Sequence, residues 1–185
     1  MTTFRVCPIP SVGRRRDGGR PTTALLGVLV AVALLCPARA GEQDFYIVED
    51  YDPHRDNVEL VTNAMQRADA EDKRVLLILG GDWCSWCKVL ENDIDESEEL
   101  TALLSRHYVV AKVHCDSESP GIRYKPRKQP QYGASFVNIR AKSYPYLVIL
   151  DSDGNRLLSR NMSGLVRNRR YSEPKLLRLL NRHKS

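Results

Sequence analysis

Residues 75–91, VLLILGGDWCSWCKVLE, constrain this chain more than any other stretch. The apolar run VLLILG is too short for a buried helix and reads as a strand covered on both faces. Directly after it come Cys84 and Cys87, and Cys84 to about Asn92 reads as a helix with Cys84 as its first residue. A strand that runs straight into a helix puts the residues between them at the carboxyl edge of a sheet. Catalytic and ligand groups gather at that edge in α/β folds.

The surrounding elements agree with such a fold. Val58, Val61, Met65 and Ala68 recur at helical spacing, giving a helix from Asn57 to about Ala70. SEELTALLSRH (97–107) opens with Ser97 and two glutamates, as a helix N-terminus prefers. YVVAKVHC (108–115) and YLVIL (146–150) read as strands, and Asp153-Gly154 as a hairpin turn into RLLSR (156–160). Ser172 is expected to cap a last helix, with Pro174 in its first turn and Leu176, Leu179 and Leu180 as its apolar stripe. The expected order is α-β-α-α-β-loop-β-β-α: an α/β three-layer sandwich, a mixed central β-sheet flanked by helices.

The first 40 residues differ in kind. Arg14, Arg15, Arg16 and Arg20 precede ALLGVLVAVALLC (24–36), and Ala38-Arg39-Ala40 follows. This is the pattern of a signal peptide cleaved after Ala40. The apolar run is shorter than the about 20 residues of a membrane span, so no stable span is expected after cleavage. The leader carries six of the 28 lysines and arginines and one of the 23 acids, leaving 22 of each. The basic balance therefore belongs to the leader, and nucleic acid is not indicated. Residues 41–55 read as an acidic, loosely docked lead-in and 56–185 as the folded domain. The expected location is outside the cytoplasm, in a periplasm, with secretion or a retained signal anchor as alternatives.

Cleavage also removes Cys7 and Cys36, leaving Cys84, Cys87 and Cys115. Three cysteines cannot staple an exported mini-fold, so the close pair is better explained by chemistry. Covalent haem needs a histidine where Lys88 stands. A zinc site needs two further ligands, and His114 and Cys115 point to opposite faces of a strand. No metal or other cofactor is expected beyond the redox pair itself.

A helix start favours a thiolate, because free N–H groups and the dipole contribute up to about 2 kcal/mol there. Cys84 is therefore the candidate nucleophile, and Lys88, four residues on, a candidate for lowering its pKa. Cys87 lies one turn away, within disulfide reach, and suits a buried resolving thiol. Glu91 follows it by four and is a candidate acceptor for its proton. Trp83 and Trp86 flank the pair as candidate substrate contacts. Cys115 reads as a buried strand residue.

With these residues in place, the chain resembles the thioredoxin superfamily over about residues 56–183. VLLILGGDWCSWCKVLE is similar to its first core strand and active-site helix, VVAKVHCD to its next strand, and SYPYLVILDSDGNRL to the segment that begins with its cis-proline. The resemblance implies that Pro145 faces the cysteines, that the Tyr144 backbone pairs with an extended substrate segment, and that Cys84 attacks while Cys87 resolves. It implies an exported thiol–disulfide oxidoreductase acting on protein thiols and disulfides, served by an unidentified electron donor or acceptor. Reductive or isomerase-like use is expected rather than oxidising use, because Ser85-Trp86 lacks the histidine of the strongest oxidants. The alternative is a thioredoxin-fold chaperone or assembly factor with a structural disulfide. Two departures stand out. Ile78 occupies the position where many members bury an acid, which leaves Glu91 as the candidate carboxylate. Residues 117–143 are longer than in a minimal member and read as surface loops or a partner-recognition rim.

Overall fold

The computed structural model describes residues 44–127 and 137–185; the expected leader and the middle of the 117–143 stretch lie outside the described residues. In chain order the elements are β1 (Tyr46–Val48), α1 (Asn57–Ala70), β2 (Arg74–Gly80), α2 (Ser85–Asp95), α3 (Glu98–His107) and β3 (Tyr108–His114). They continue with β4 (Gly121–Tyr124), β5 (Val137–Arg140), β6 (Tyr146–Leu150), β7 (Arg156–Asn161), a 3-10 turn (Ser163–Leu165), β8 (Val166–Arg167), β9 (Arg170–Tyr171) and α4 (Glu173–His183).

Five strands form one mixed sheet in the order β1-β3-β2-β6-β7. β2 runs parallel to β3 and antiparallel to β6, and β7 is antiparallel to β6. From Val75 onward the central strand is apolar because both its faces are covered. Val75, Leu77 and Leu79 join Val61, Met65 and Ala68 of α1 in one core. Leu76 and Ile78 join Leu90 and Ile94 of α2, Leu100 and Leu104 of α3, and Leu176 and Leu180 of α4 in the other. Period-2 alternation in β2 thus decides which helix each side chain meets.

Local chemistry sets the ends of the elements. The Asp56 carboxylate accepts from Val58 N at 2.7 Å and starts α1, and Ser97 Oγ accepts from Leu100 N at 3.1 Å and starts α3. Ser172 occupies the N-cap of α4, but its side chain makes no capping bond; its carbonyl accepts from Lys175 N and Leu176 N instead. In the β6–β7 hairpin Asp151 Oδ1 accepts from Asp153 N and Asn155 N, while Gly154 takes φ 89°, a conformation suited to glycine.

The structure corrects two expectations. The lead-in is not loosely docked: β1 adds to the sheet edge beside β3, and Phe45 and Tyr51 are buried. Its aromatic residues offer apolar area that outweighs the acidic flanks. The 117–143 stretch is more than surface loop, since β4 and β5 pair as an antiparallel ribbon whose Ile122, Tyr124 and Ile139 enter the core over α1. In both cases short strands are stabilised by distant partners that local periodicity does not reveal. The short β8–β9 hairpin, turning through Asn168 and Arg169 at positive φ, was likewise not expected.

Candidate active site

β2 delivers its last residue, Gly80, to the carboxyl edge of the sheet, and the chain turns through Gly81 into α2. The Cys84 N–H closes this turn on Gly81 O at 2.9 Å. Cys84 is the N-cap of α2 rather than its first helical residue, with φ −87° and ψ 99°. That offset by one residue turns its sulfur back over the helix start, where Sγ accepts from Cys87 N at 3.2 Å. The cap sulfur thus sits among the free N–H groups at the positive end of the helix dipole.

Cys84 and Cys87 are joined in a disulfide with Cα atoms 5.2 Å apart. Cys84 is 5% exposed and Cys87 fully buried, so an incoming group meets Cys84 first. Gly80 makes room for the inner sulfur: a Cβ there would stand 2.4 Å from Cys87 Sγ and 3.6 Å from the Tyr51 hydroxyl. Tyr51 forms one buried cluster with the two cysteines, and Tyr144 packs against it.

Beside this pair lies a polar cluster assembled from three distant segments. Glu91 Oε1 is 3.3 Å from Lys112 Nζ, and Lys112 is buried on β3 directly beside Ile78 of β2. The ammonium lies 5.2 Å from the ring centroid of Tyr46 and 5.8 Å from that of Tyr51, within cation–π range. The Tyr51 hydroxyl and Glu91 Oε1 are buried and meet without a hydrogen bond of good geometry. Burial first, and the Glu91 charge second, push the Tyr51 phenol above its ordinary value.

The rim is aromatic. Trp83 is 56% exposed and meets the Tyr144 ring edge-on at 5.3 Å; Trp86, 39% exposed, meets Tyr171 at 6.0 Å. The Tyr144–Pro145 peptide is cis, and Pro145 is buried. Tyr144 separates two hollows. One, of about 290 Å³, lies between Trp86, Pro145, Met162 and Tyr171; the other, of about 540 Å³, lies between Trp83, Pro120 and Ala141. The β8–β9 hairpin that carries Tyr171 is tied to α2 by buried Asp93, which accepts from Tyr171 N at 2.7 Å and lies 2.5 Å from the Arg170 guanidinium.

The structure therefore brings together Cys84, Cys87, Trp83, Tyr144 and, through Tyr51, Glu91. Trp86 joins the rim beside Pro145. Lys88 is exposed on α2, and its backbone N–H bonds Cys84 O at 3.3 Å. Cys115 is buried on the core side beyond Tyr144, and burial, then Asp116, pushes its thiol up to about 12. Sequence reasoning missed Lys112 and Tyr51. A lysine at an inward position of an otherwise apolar strand was the available sign for Lys112, since a buried ammonium needs a partner.

Comparison with known proteins agrees with this geometry. A family model described as a thioredoxin-like domain matches residues 61–174. A protein named disulfide bond reductase DsbH from Chlamydia pneumoniae is 24% identical over 102 residues, covering 54% of this chain; the chain spans 58% of the length of that relative. The crystal structure of a disulphide isomerase from Xylella fastidiosa Temecula1 superposes with a TM-score of 0.51 at 22% identity, covering 74% of this chain and 97% of that one. At that identity the likeness speaks for the fold. With a family match over most of the described domain and the strand, cysteine pair and cis-proline in place, the chain belongs to the thioredoxin-like domain family.

Proposed function

We propose that the chain is an exported thiol–disulfide oxidoreductase that reduces disulfides of protein substrates outside the cytoplasm. The observation that carries this reading is the Cys84–Cys87 disulfide at the N-terminus of α2, with the outer sulfur at the cap and the inner one buried. In the reduced form Cys84 is the thiolate, favoured by the helix start. It attacks a substrate disulfide, forming a Cys84–substrate bond and expelling one substrate thiolate. Cys87 gives up its proton to Glu91 and attacks Cys84 Sγ, expelling the second substrate thiolate. The substrate gains two electrons and, with protons from Glu91 and solvent, becomes two thiols; the Cys84–Cys87 dithiol becomes a disulfide.

Trp83, Trp86, Tyr144 and Pro145 supply the substrate surface, with the Tyr144 backbone free to pair with an extended segment. Proline at 145 keeps a backbone donor away from the sulfurs. Lys88 adds positive charge on the Cys84 face of α2 and favours the thiolate. Lys112 holds the Glu91 carboxylate in place. The leader pattern at 1–40 supports export; among the described residues no helix is long and apolar enough to cross a membrane. The relative named as a disulfide bond reductase supports the reductive direction. A reductant outside the cytoplasm needs an electron donor, which a partner protein would supply.

The test is exchange chemistry on the mature protein. Insulin or a model peptide disulfide should be reduced catalytically, and Cys84→Ser should abolish this with the fold intact. The reduction potential should lie nearer the reducing end of the range of about −270 to −120 mV spanned by such dithiols. A pair inert to glutathione and alkylating agents at neutral pH overturns the proposal in favour of a chaperone or assembly factor with a structural disulfide.

A further inference from the structure

We infer that Tyr51, carried by the segment before α1, relays the proton of Cys87 to Glu91 during resolution of the mixed disulfide. This rests on the dithiol reading above and adds a group to it. Cys87 and Glu91 lie one turn apart on α2, and the side chain that packs against Cys87 while facing Glu91 comes from outside the helix. Cys87 Sγ and the Tyr51 hydroxyl stand around one point, 2.4 and 3.6 Å from where a Gly80 Cβ would lie. The sulfur and the phenol thus share the space that glycine leaves.

The polar partners are arranged in sequence. The Tyr51 hydroxyl and Glu91 Oε1 are both buried, and neither has a well-formed hydrogen bond. Lys112 lies 3.3 Å from Glu91 and over the Tyr51 ring, fixing the acceptor carboxylate beside the phenol. A buried phenol hydroxyl without a hydrogen bond costs free energy that a purely structural role would remove by an apolar ring. Burial keeps the phenol protonated, so it acts by accepting from sulfur and donating to carboxylate in the same event, never as a phenolate.

The step balances. The Cys87 S–H bond breaks and its proton passes to the Tyr51 oxygen as the Tyr51 O–H proton passes to Glu91. The Cys87 thiolate then bonds Cys84 Sγ, and the Cys84–substrate S–S bond breaks with its electron pair leaving on the substrate sulfur. That thiolate takes its proton from Glu91 through solvent at the exposed rim, and Tyr51 is restored.

Tyr51→Phe keeps the ring and removes the relay. The mixed disulfide of Cys84 with a peptide thiol is prepared, and release of the thiol is followed against pH in single turnovers. Release should slow about 100-fold near neutral pH, the low end for a positioned proton-transfer group, and its pH profile should move to higher pH. Glu91→Gln should do the same, and the double variant should lose no more than either single one, as members of one relay behave. Alkylation of Cys84 should keep its wild-type rate and pH profile in all three. If Tyr51→Phe is too unstable, 3-fluorotyrosine at position 51, nearly isosteric and more acidic, should move the release profile to lower pH.

A wild-type release profile in Tyr51→Phe, or additive losses in the double variant, overturns the relay. If instead Cys84 in the wild-type protein is itself inert, the dithiol reading fails, and the relay with it. The two failures are told apart by the Cys84 alkylation rate.

Discussion

Glu91 of α2 and Lys112 of β3 form an ion pair at 3.3 Å beside Ile78, so a helix carboxylate and a strand ammonium meet where the sheet itself offers only an apolar side chain. Their side chains are 23% and 10% exposed. Breaking a pair this enclosed leaves one buried charge alone. Lys112→Met should destabilise the oxidised protein by about 2–4 kcal/mol in urea unfolding, somewhat below a fully buried pair because Glu91 retains contact with water. Glu91→Leu combined with Lys112→Met should recover most of that loss while disulfide release stays slow. Full recovery of release with stability would remove the pair from the chemistry.

Gly80 and Gly81 are adjacent, yet substitution should separate them. A Cβ at Gly80 meets Cys87 Sγ at 2.4 Å in a fully buried site, where nothing can yield cheaply. Gly80→Ala should therefore destabilise the oxidised protein by about 1–3 kcal/mol, the ordinary cost of overpacking. A Cβ at Gly81 meets Trp83 Nε1 at 2.4 Å, but that ring is 56% exposed and free to swing outward. Gly81 is buried too, but because the atoms it would meet belong to an exposed ring, Gly81→Ala should cost less than Gly80→Ala. Equal losses in urea unfolding of the two variants would contradict this division.

What could be read from the sequence was what short-range pattern encodes. The strand into Cys84, the Ser97 cap, the Asp153-Gly154 turn and the stripe of α4 all depend on neighbours within a few residues. Tyr51 and Lys112 depend on the register of β3 against both β1 and β2, which brings together residues far apart in sequence. The acidic lead-in hid Tyr51 behind its charge. Ile122, Tyr124 and Ile139 do alternate with polar residues in β4 and β5, but the proline-rich connection obscured a ribbon whose arms are four residues each. The shift of Cys84 from first helical residue to N-cap is a difference of one position, within the ordinary uncertainty of a helix end. It matters chemically because only the cap turns its side chain back over the free N–H groups.

Cys115 should behave as a third, silent thiol. Burial, reinforced by Asp116, raises it to about 12 from 9.0, and its Sγ faces Gly121 O at 3.6 Å. At pH 8 the reduced native protein should take up iodoacetamide at Cys84, more slowly at Cys87, and at Cys115 only in denaturant, as mass spectrometry would read. The raised value also sets a pH dependence. Above 9.0 the unfolded thiol ionises while the folded one holds its proton. The unfolded state then binds fewer protons, so stability falls as pH rises from 9.0 towards about 12, and is unaffected by this group below 9.0. Cys115→Ala should flatten part of that alkaline decline relative to wild type; an unchanged slope would mean the thiol is not the group responsible.

Trp83 and Trp86 each line a different hollow, and Tyr144 lines both. Exposed aromatic surface of this kind is costly to leave in water and contributes most when a partner covers it. A substrate segment lying along Tyr144 and Pro145 would place side chains of alternate residues towards the two hollows, since successive side chains of an extended chain point opposite ways. Trp86→Ala should therefore raise KM for a protein disulfide roughly tenfold, a modest loss for an interfacial tryptophan. Its effect on kcat and on alkylation of Cys84 by a small reagent should be slight, because the N-cap geometry of Cys84 does not involve the ring. Trp83→Ala should act in the same direction and, with the two hollows separate, the two losses should add. A small symmetric disulfide that fills neither hollow should show no KM change in either variant. Equal damage to the small and the protein disulfide would place the tryptophans in support of the α2 N-terminus, not in substrate contact.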